Sequence, residues 1–231
     1  MAAATVLVVG AGGLGSALLT YLVAAGVGRV RLVDADVVDQ SNLARQVLYT
    51  PADPGQPKAE VAASRLRRLN PDVRVEAIRT RATPASLPDL LRAVDVAADC
   101  SDNWASRYAV NRACLQSGLP DVWATIGGWS GRCAVTLPGT GPCFECLFRD
   151  QTDPASPEPP PVFGPVCGLT GALQAGEVVK LITGAGQPLI GRLALIDGQT
   201  GDFTTIAVAP DPNCPACGWS LAVQSSSCSG V

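Results

Sequence analysis

Two short cysteine pairs, Cys143-Phe-Glu-Cys146 and Cys214-Pro-Ala-Cys217, are the residues of this 231-residue chain whose type and spacing point most directly to chemistry. Four thiolates from two such knuckles close a tetrahedral zinc site and leave no position for water, so a metal held there is structural, not catalytic. A redox dithiol or an iron–sulfur cluster would draw on the same residues, and zinc is preferred over both. Cys100, Cys114, Cys133, Cys167 and Cys228 show no such spacing and are expected to be small apolar packing residues, with Cys167 at the start of a helix.

A second constellation begins at GAGGLG, residues 10–15. Gly10, Gly12 and Gly15 have the spacing that lets a backbone turn tightly, approach a phosphate and seat the next helix on a sheet. That helix would aim its N-terminal N–H groups at the phosphate. Asp34 falls 19 residues after Gly15, where an acid can bind ribose hydroxyls. A dehydrogenase holding NAD would show the same features, so the loop alone does not choose the nucleotide. Arg45, Gln46 and Lys58 offer more cationic reach than a nicotinamide requires and suit a triphosphate, whose charge must be neutralised before an anion can approach. Asp102, at the end of a central strand, is suited to Mg²⁺ through one carboxylate plus phosphate oxygens and waters.

The chain contains no histidine. The usual general base, the Ser-His-Asp and Cys-His arrangements and all His-containing metal sites are therefore excluded. A formal charge of −3 without a basic stripe argues against nucleic acid as the main partner. Arg65, Arg67 and Arg68 in SRLRRLN read as the solvated face of a helix rather than a phosphate track. Residues 6–28 carry no charged side chain and are long enough to span a bilayer, but six glycines interrupt them, so a buried strand and helix is expected and no membrane role. MAAAT lacks the basic n-region of an export signal, and a reducing cytoplasm is the expected location.

These residues need a frame that alternates strands with helices. VLVV and RVRLV read as strands flanking a helix that Gly26 and Gly28 end. PKAEVAASRLRRLN reads as a helix with Pro57 in its first turn, VRVEAI as a strand, TPASLPDLLRAV as a helix and DVAADC as a second apolar strand. Asn103 to Gly118 is a helix, DVWATIGGWSGRCAVTLP a strand, turn and strand, LTGALQAGEVVKLITG a helix and RLALIDGQTGDFTTIAVA a hairpin. DQTDPASPEPPPVFGP, with five prolines from Pro154 to Pro161, is expected to be an extended surface loop. No internal repeat is evident. The fold class is α/β: a Rossmann-like doubly wound sheet, mainly parallel with antiparallel C-terminal strands, plus the four-cysteine zinc clip. Gly10–Gly15, Asp34 and Asp102 would all lie at the carboxyl ends of its strands, where ligands bind in such sheets.

GAGGLGS, LVDADVVDQSNLARQ, QPKAEVAASRLRRLNP, DCSDNWASR and the paired knuckles together resemble the ThiF/MoeB/HesA group, bacterial relatives of ubiquitin-activating enzymes, from Thr5 to Cys217. The resemblance implies one adenylation domain over 1–218, with a Pro-rich crossover loop at 151–163, zinc knuckles at 143–146 and 214–217, and a tail at 219–231. It implies a homodimer that uses ATP and Mg²⁺ to adenylate the C-terminal glycine of a small ubiquitin-fold sulfur-carrier protein ending in Gly-Gly. A sulfurtransferase or cysteine desulfurase would supply the sulfur. Asp34 would hold the ribose, Asn42, Arg45 and Lys58 the phosphates, and Asp102 the magnesium. Gly10, Gly12, Gly13, Gly15, Asp36, Gln46 and Asn103 complete the implied nucleotide set, and Arg45, Lys58 and Asp102 carry the catalysis.

Adenylation is chemistry that a chain without histidine can perform. The attacking carboxylate is already an anion, so no proton has to be removed, and catalysis reduces to positioning it against the α-phosphorus and stabilising the departing pyrophosphate. Relatives usually begin with a helix whose arginine reaches the partner's ATP, whereas this chain starts almost at the first strand. A nucleotide-binding pseudoenzyme that docks a carrier therefore stays open beside adenylation of a peptide or of a protein-conjugating ubiquitin-like tag, while a nicotinamide oxidoreductase is disfavoured. Many relatives also carry a cysteine in the loop after the first knuckle. DQTDPASPEPPPV has none, so the sulfur is expected to come from an external persulfide that attacks the adenylate directly.

Overall fold

The computed structural model of the chain describes residues 1–153 and 161–218; most of the proline run and the expected tail at 219–231 lie outside them. In chain order the elements are β1 (Thr5–Val9), α1 (Gly13–Ala24), β2 (Arg29–Val33), α2 (Lys58–Leu69), β3 (Arg74–Ile78), α3 (Leu87–Leu90), β4 (Val96–Asp99), α4 (Trp104–Ser117), β5 (Asp121–Gly127), β6 (Ser130–Thr136), α5 (Phe144–Leu147), α6 (Gly164–Thr183), β7 (Arg192–Asp197) and β8 (Asp202–Ala207).

The strands form one sheet in the order β3-β2-β1-β4-β5-β6-β7-β8. The pairs from β3 through to β5 are parallel, and β5-β6, β6-β7 and β7-β8 are antiparallel. A strand buried on both faces reads as a continuous apolar run, and TVLVV is buried throughout. Its alternation still sorts the layers. Val6 and Val8 pack with residues of α1, α2 and α6, while Leu7 and Val9 pack with α3 and α4 on the other face. An aromatic group of Trp123, Phe144, Trp104, Tyr108 and Phe148 fills the space between α4 and α5.

Buried polar side chains fasten the layers. Gln174 of α6, fully buried, donates through Nε2 to the carbonyls of Asp99 (2.9 Å) and Val122 (2.7 Å) and accepts the Cys100 thiol at 3.2 Å. One amide thus joins α6 to the ends of β4 and β5, and each bond contributes about 1 kcal/mol.

Two elements differ from expectation. The helix expected over residues 83–94 is a single turn, Leu87–Leu90. Arg31, from β2, captures its terminal carbonyls, Leu90 at 2.6 Å and Arg92 at 3.1 Å, and Ala93 turns into the left-handed region at φ 54°. Those bonds satisfy the helix end early and send the chain into β4. Conversely α6 starts at Gly164, five residues before LTGALQ (164 against 169), with Pro165 in the first turn where its missing N–H loses no helical bond.

One buried group opposes folding. The Asp121 carboxyl, at the start of β5, is 1% exposed and neither oxygen meets a hydrogen-bond partner of ordinary geometry. Burial, reinforced by the nearby Asp99 charge, pushes it well above the usual carboxylate range; Arg107, Cys114 and Cys133 also face it. The folded chain therefore binds a proton that the unfolded chain releases above about pH 4. The stability this proton confers is full below the unfolded pKa and is lost as pH rises towards the folded value. Asp121→Val is expected to raise unfolding stability at pH 7 by about 1–3 kcal/mol, with the gain shrinking towards pH 4. Denaturant unfolding across that range checks it, and a gain independent of pH would contradict the account.

Candidate active site

The chain order reverses between β1 and β4, and a cavity of about 250 Å³ opens there at the carboxyl ends of the strands. Its floor is the glycine loop. Gly10 adopts φ +99°, and a Cβ on it would stand 2.8 Å from the Cys100 carbonyl oxygen. Gly10, Gly12 and Gly13 line the cavity; Gly15 does not. Gly15 serves packing instead, since its Cβ would lie 2.1 Å from the Gly10 carbonyl oxygen. The first turn of α1 contains no acidic residue, so its unpaired N–H groups remain available to an anion. Cys167 packs beneath the loop, its Sγ 2.9 Å from where a Gly13 Cβ would be, as the helix-start position of its sequence suggests.

Asp34 follows the end of β2 and holds the loop in place. Its Oδ2 accepts the Ala11 N–H and its Oδ1 the Asp36 N–H, both at 2.8 Å. Burial raises its pKa and these two amides offset part of the rise. Tyr49 braces the same turn by donating to the Ala11 carbonyl at 2.9 Å. Lys58, 7% exposed, opens α2 with its Nζ 3.4 Å from Asp36 Oδ2. Arg45 donates to the Ser41 carbonyl at 3.2 Å and lines the cavity beside Gln46. The structure does not bring Asn42 to the wall: it accepts the Asp39 N–H at 3.2 Å in a capping box with Asp39.

Asp102 and Asn103 form the opposite wall. Asn103 caps α4 by accepting the Ser106 N–H at 2.9 Å, and its amide reaches Asp102 Oδ1 at 3.4 Å. Asp102 is exposed and makes no ion pair among the described residues. Thr80, Arg81, Ile126 and Val162 also line the cavity, and no local motif announced them; Ser101 and Arg107 line it too, and their motif, DCSDNWASR, gave neither a role. The chain returning from the proline run is stitched to this rim: Val162 bridges Gly128, the Phe163 N–H donates to the Gly128 carbonyl at 2.9 Å, and the Phe163 ring lies 4.1 Å from Trp129. On the outgoing side, Asp153 accepts the Trp104 N–H at 3.0 Å.

The donor set fits a nucleotide triphosphate with a divalent cation. Lys58, Arg45 and Arg81 surround a floor of backbone N–H groups, and one carboxylate stands unpaired at the mouth. The Gln46 Oε1 and Ser101 Oγ atoms are buried there with no partner in the protein, as expected of groups awaiting a ligand.

The four knuckle thiols lie within 4.8 Å of one another. Sγ–Sγ distances are 3.8 Å for Cys143–Cys146 and 3.6 Å for both Cys143–Cys214 and Cys146–Cys217. A tetrahedron with metal–sulfur bonds of ~2.3 Å has edges of about 3.8 Å, so the cluster is already the size of a metal cage. Hydrogen bonding from Cys143 pushes the Cys146 thiol down to about 5. Helix α4 orients the first knuckle: Asn111 accepts the Phe144 N–H at 3.1 Å and donates to Glu145 at 3.0 Å, and Arg112 grips the same carboxylate at 2.9 and 2.7 Å. Arg149 ties the second through Asp211 and, at 3.1 Å, the Asn213 carbonyl. The cysteines among the described residues are free of disulfides, and no described helix is long and apolar enough to cross a membrane.

Comparison with known proteins gives consistent results. The model of the ThiF family matches residues 1–216. The chain is 46% identical to the sulfur carrier protein adenylyltransferase of Thermus thermophilus, over 93% of this chain and 82% of that protein. It is 47% identical to the adenylyltransferase and sulfurtransferase MOCS3 of Bos taurus, over 94% of this chain but only 49% of that protein, so it spans about half the length of that relative. Among solved structures, Escherichia coli MccB with ATP superposes with a TM-score of 0.83 at 26% identity, over 93% of this chain and 67% of that one.

The floor makes a testable demand. Gly10→Ala requires a left-handed alanine and a clash with the Cys100 carbonyl, which together cost about 1–3 kcal/mol. Lower thermal stability and loss of ATP binding in calorimetry are expected; wild-type affinity would contradict this role for the loop.

Proposed function

Because the chain belongs to the ThiF family, we propose that it is an ATP-dependent adenylyltransferase acting on the C-terminal glycine of a small ubiquitin-fold sulfur-carrier protein, in preparation for thiocarboxylate formation. The observation that carries this reading is the joint placement of Arg45, Lys58 and Asp102 around the glycine-loop cavity. The similarity to adenylyltransferases of sulfur carriers supports the substrate class, and favours it over a peptide or a protein-conjugating tag.

The chemistry follows from the wall. The first turn of α1 and the Gly12–Gly13 amides cradle phosphate, and Asp34 presents its remaining lone pairs to ribose hydroxyls. Lys58 and Arg45 neutralise the phosphate oxygens, allowing a carboxylate anion to reach the α-phosphorus. The carboxylate oxygen bonds to that phosphorus as its bond to the bridging oxygen breaks, and pyrophosphate leaves with the electron pair. Asp102 would hold Mg²⁺, which when bound screens charge on the phosphates. Zinc in the four-cysteine cage would pin the end of β6 to the chain after β8. A homodimer, sulfur delivery by a sulfurtransferase or cysteine desulfurase, and a cytoplasmic location suited to free thiols belong to the same proposal.

ATP–pyrophosphate exchange with and without a Gly-Gly-tailed carrier tests it. Carrier-dependent exchange is expected; its absence would favour a docking pseudoenzyme. Asp102→Ala is expected to abolish exchange while leaving the fold intact, and Arg45→Ala and Lys58→Ala each to lose several kcal/mol of transition-state stabilisation, by analogy with ~2.7–4 kcal/mol for one preorganised donor. Wild-type rates in all three would refute the assignment.

For the cage, elemental analysis should find one zinc per chain, and Cys214→Ser should lower both metal content and melting temperature, since metal binding is coupled to folding. Iron, or a visible absorption band, would overturn the zinc reading.

A further inference from the structure

The most unusual charge at the cavity is Arg107, which the proposed reaction leaves without a role. It is 6% exposed, yet no carboxylate lies within ion-pair distance of it among the described residues. A buried cation with no carboxylate in direct contact is costly and persists where its hydrogen bonds serve a purpose. Here they bridge a gap. Pairing of β4 with β5 runs from Ala97↔Asp121 to Asp99↔Trp123 and stops, and the cavity opens beyond. The Arg107 guanidinium spans the opening, with Nη1 donating to the Ala124 carbonyl at 2.7 Å and Nη2 to the Ser101 carbonyl. Its planar fork thus replaces the missing rungs of the ladder, and a lysine ammonium could not hold both carbonyls in that geometry.

Ser101 immediately precedes Asp102. Apart from the Asn103 amide at 3.4 Å, no side chain or backbone group among the described residues holds the Asp102 carboxylate, so the backbone at residue 101 sets its direction. We propose that Arg107 is the positioning residue for Asp102, clamping the exit of β4 to the middle of β5 where the two strands splay apart, so that this carboxylate is aimed into the cavity. The clamp has a support beneath it. The Phe144 ring lies 6.0 Å from the guanidinium carbon, and Phe144 stands between the two cysteines of the first knuckle. Helix α4 carries Arg107 on one turn and Asn111 and Arg112, which grip that knuckle, on the next. The four-cysteine cage therefore backs the same junction of β4 and β5 that presents Asp102.

This inference rests on Asp102 as the divalent-cation ligand of ATP, so the experiment separates the two. Calorimetry on the full, metal-loaded chain measures ATP affinity without Mg²⁺, and then the Mg²⁺ concentration that gives half of the full tightening. Arg107→Lys keeps the charge and loses the fork. The Mg²⁺ requirement is expected to rise about tenfold or more while Mg²⁺-free ATP affinity stays within about twofold. A half-saturation constant does not depend on how much protein is folded, so partial unfolding cannot imitate the shift. An unchanged constant in folded Arg107→Lys overturns the proposal. If that variant does not fold, Phe144→Leu, which removes the ring and leaves both carbonyl bonds, is read in the same way: a raised constant supports the clamp and an unchanged one overturns it. A wild-type protein whose ATP affinity ignores Mg²⁺ would sink the reading of Asp102 itself, and this inference with it.

Discussion

At Gly10 the chain passes its own Cys100 carbonyl at a separation that leaves no room for a side chain, and the rest of the site is arranged around that crossing. β1 and β4 are neighbours, but β1 leads into α1 on one face of the sheet and β4 into α4 on the other. Their exits touch at Gly10 and Cys100 and then separate. The two helices diverge from one point, and the space between their N-termini cannot be closed by side chains from below. A larger residue at position 10 would push the two strand ends apart and fill the volume a phosphate requires.

The charges around that space are unequal in availability. Asp34 already accepts two backbone amides and Asp36 is engaged with Lys58, so both acids serve the protein's own geometry. Arg45 and the α1 N-terminus keep donor capacity directed at the cavity, and Asp102 alone among the described residues lining it offers an unpaired carboxylate at the mouth. Such a site stabilises developing negative charge and moves no proton, which suits a chain without histidine.

Features set by local spacing were legible in the sequence. The glycine loop, Asp34 and the knuckles each depend on residues a few positions apart or on one strand–helix–strand unit, and each is found where spacing places it. Features set by sheet order were not. Arg107 gains its place from the exit of β4 and the middle of β5, which come together only in the finished sheet, and Val162 from a bridge to Gly128 across 34 residues of chain (162 − 128). The short α3 shows the same limit, because the residue that ends it, Arg31, lies far back in the chain on β2. Asn42 sits in the expected motif, but its side chain closes a turn instead of facing the cavity. Asp121 was illegible for another reason: an acid at a strand start reads as solvated, and only the packed structure reveals that it is covered.

The second knuckle follows β8 in the chain, 71 residues after the first. During synthesis the five parallel strands and the cavity between them can therefore form before either thiol of that knuckle has left the ribosome. Closing so long a span by a metal costs chain entropy, and the antiparallel hairpin, once in place, shortens the span to be closed. A metal held there would then end the folding sequence rather than nucleate it. Thiol reagents and chelators should accordingly unravel the molecule from its β7–β8 border inwards, with the nucleotide-facing half as the last cooperative unit to melt.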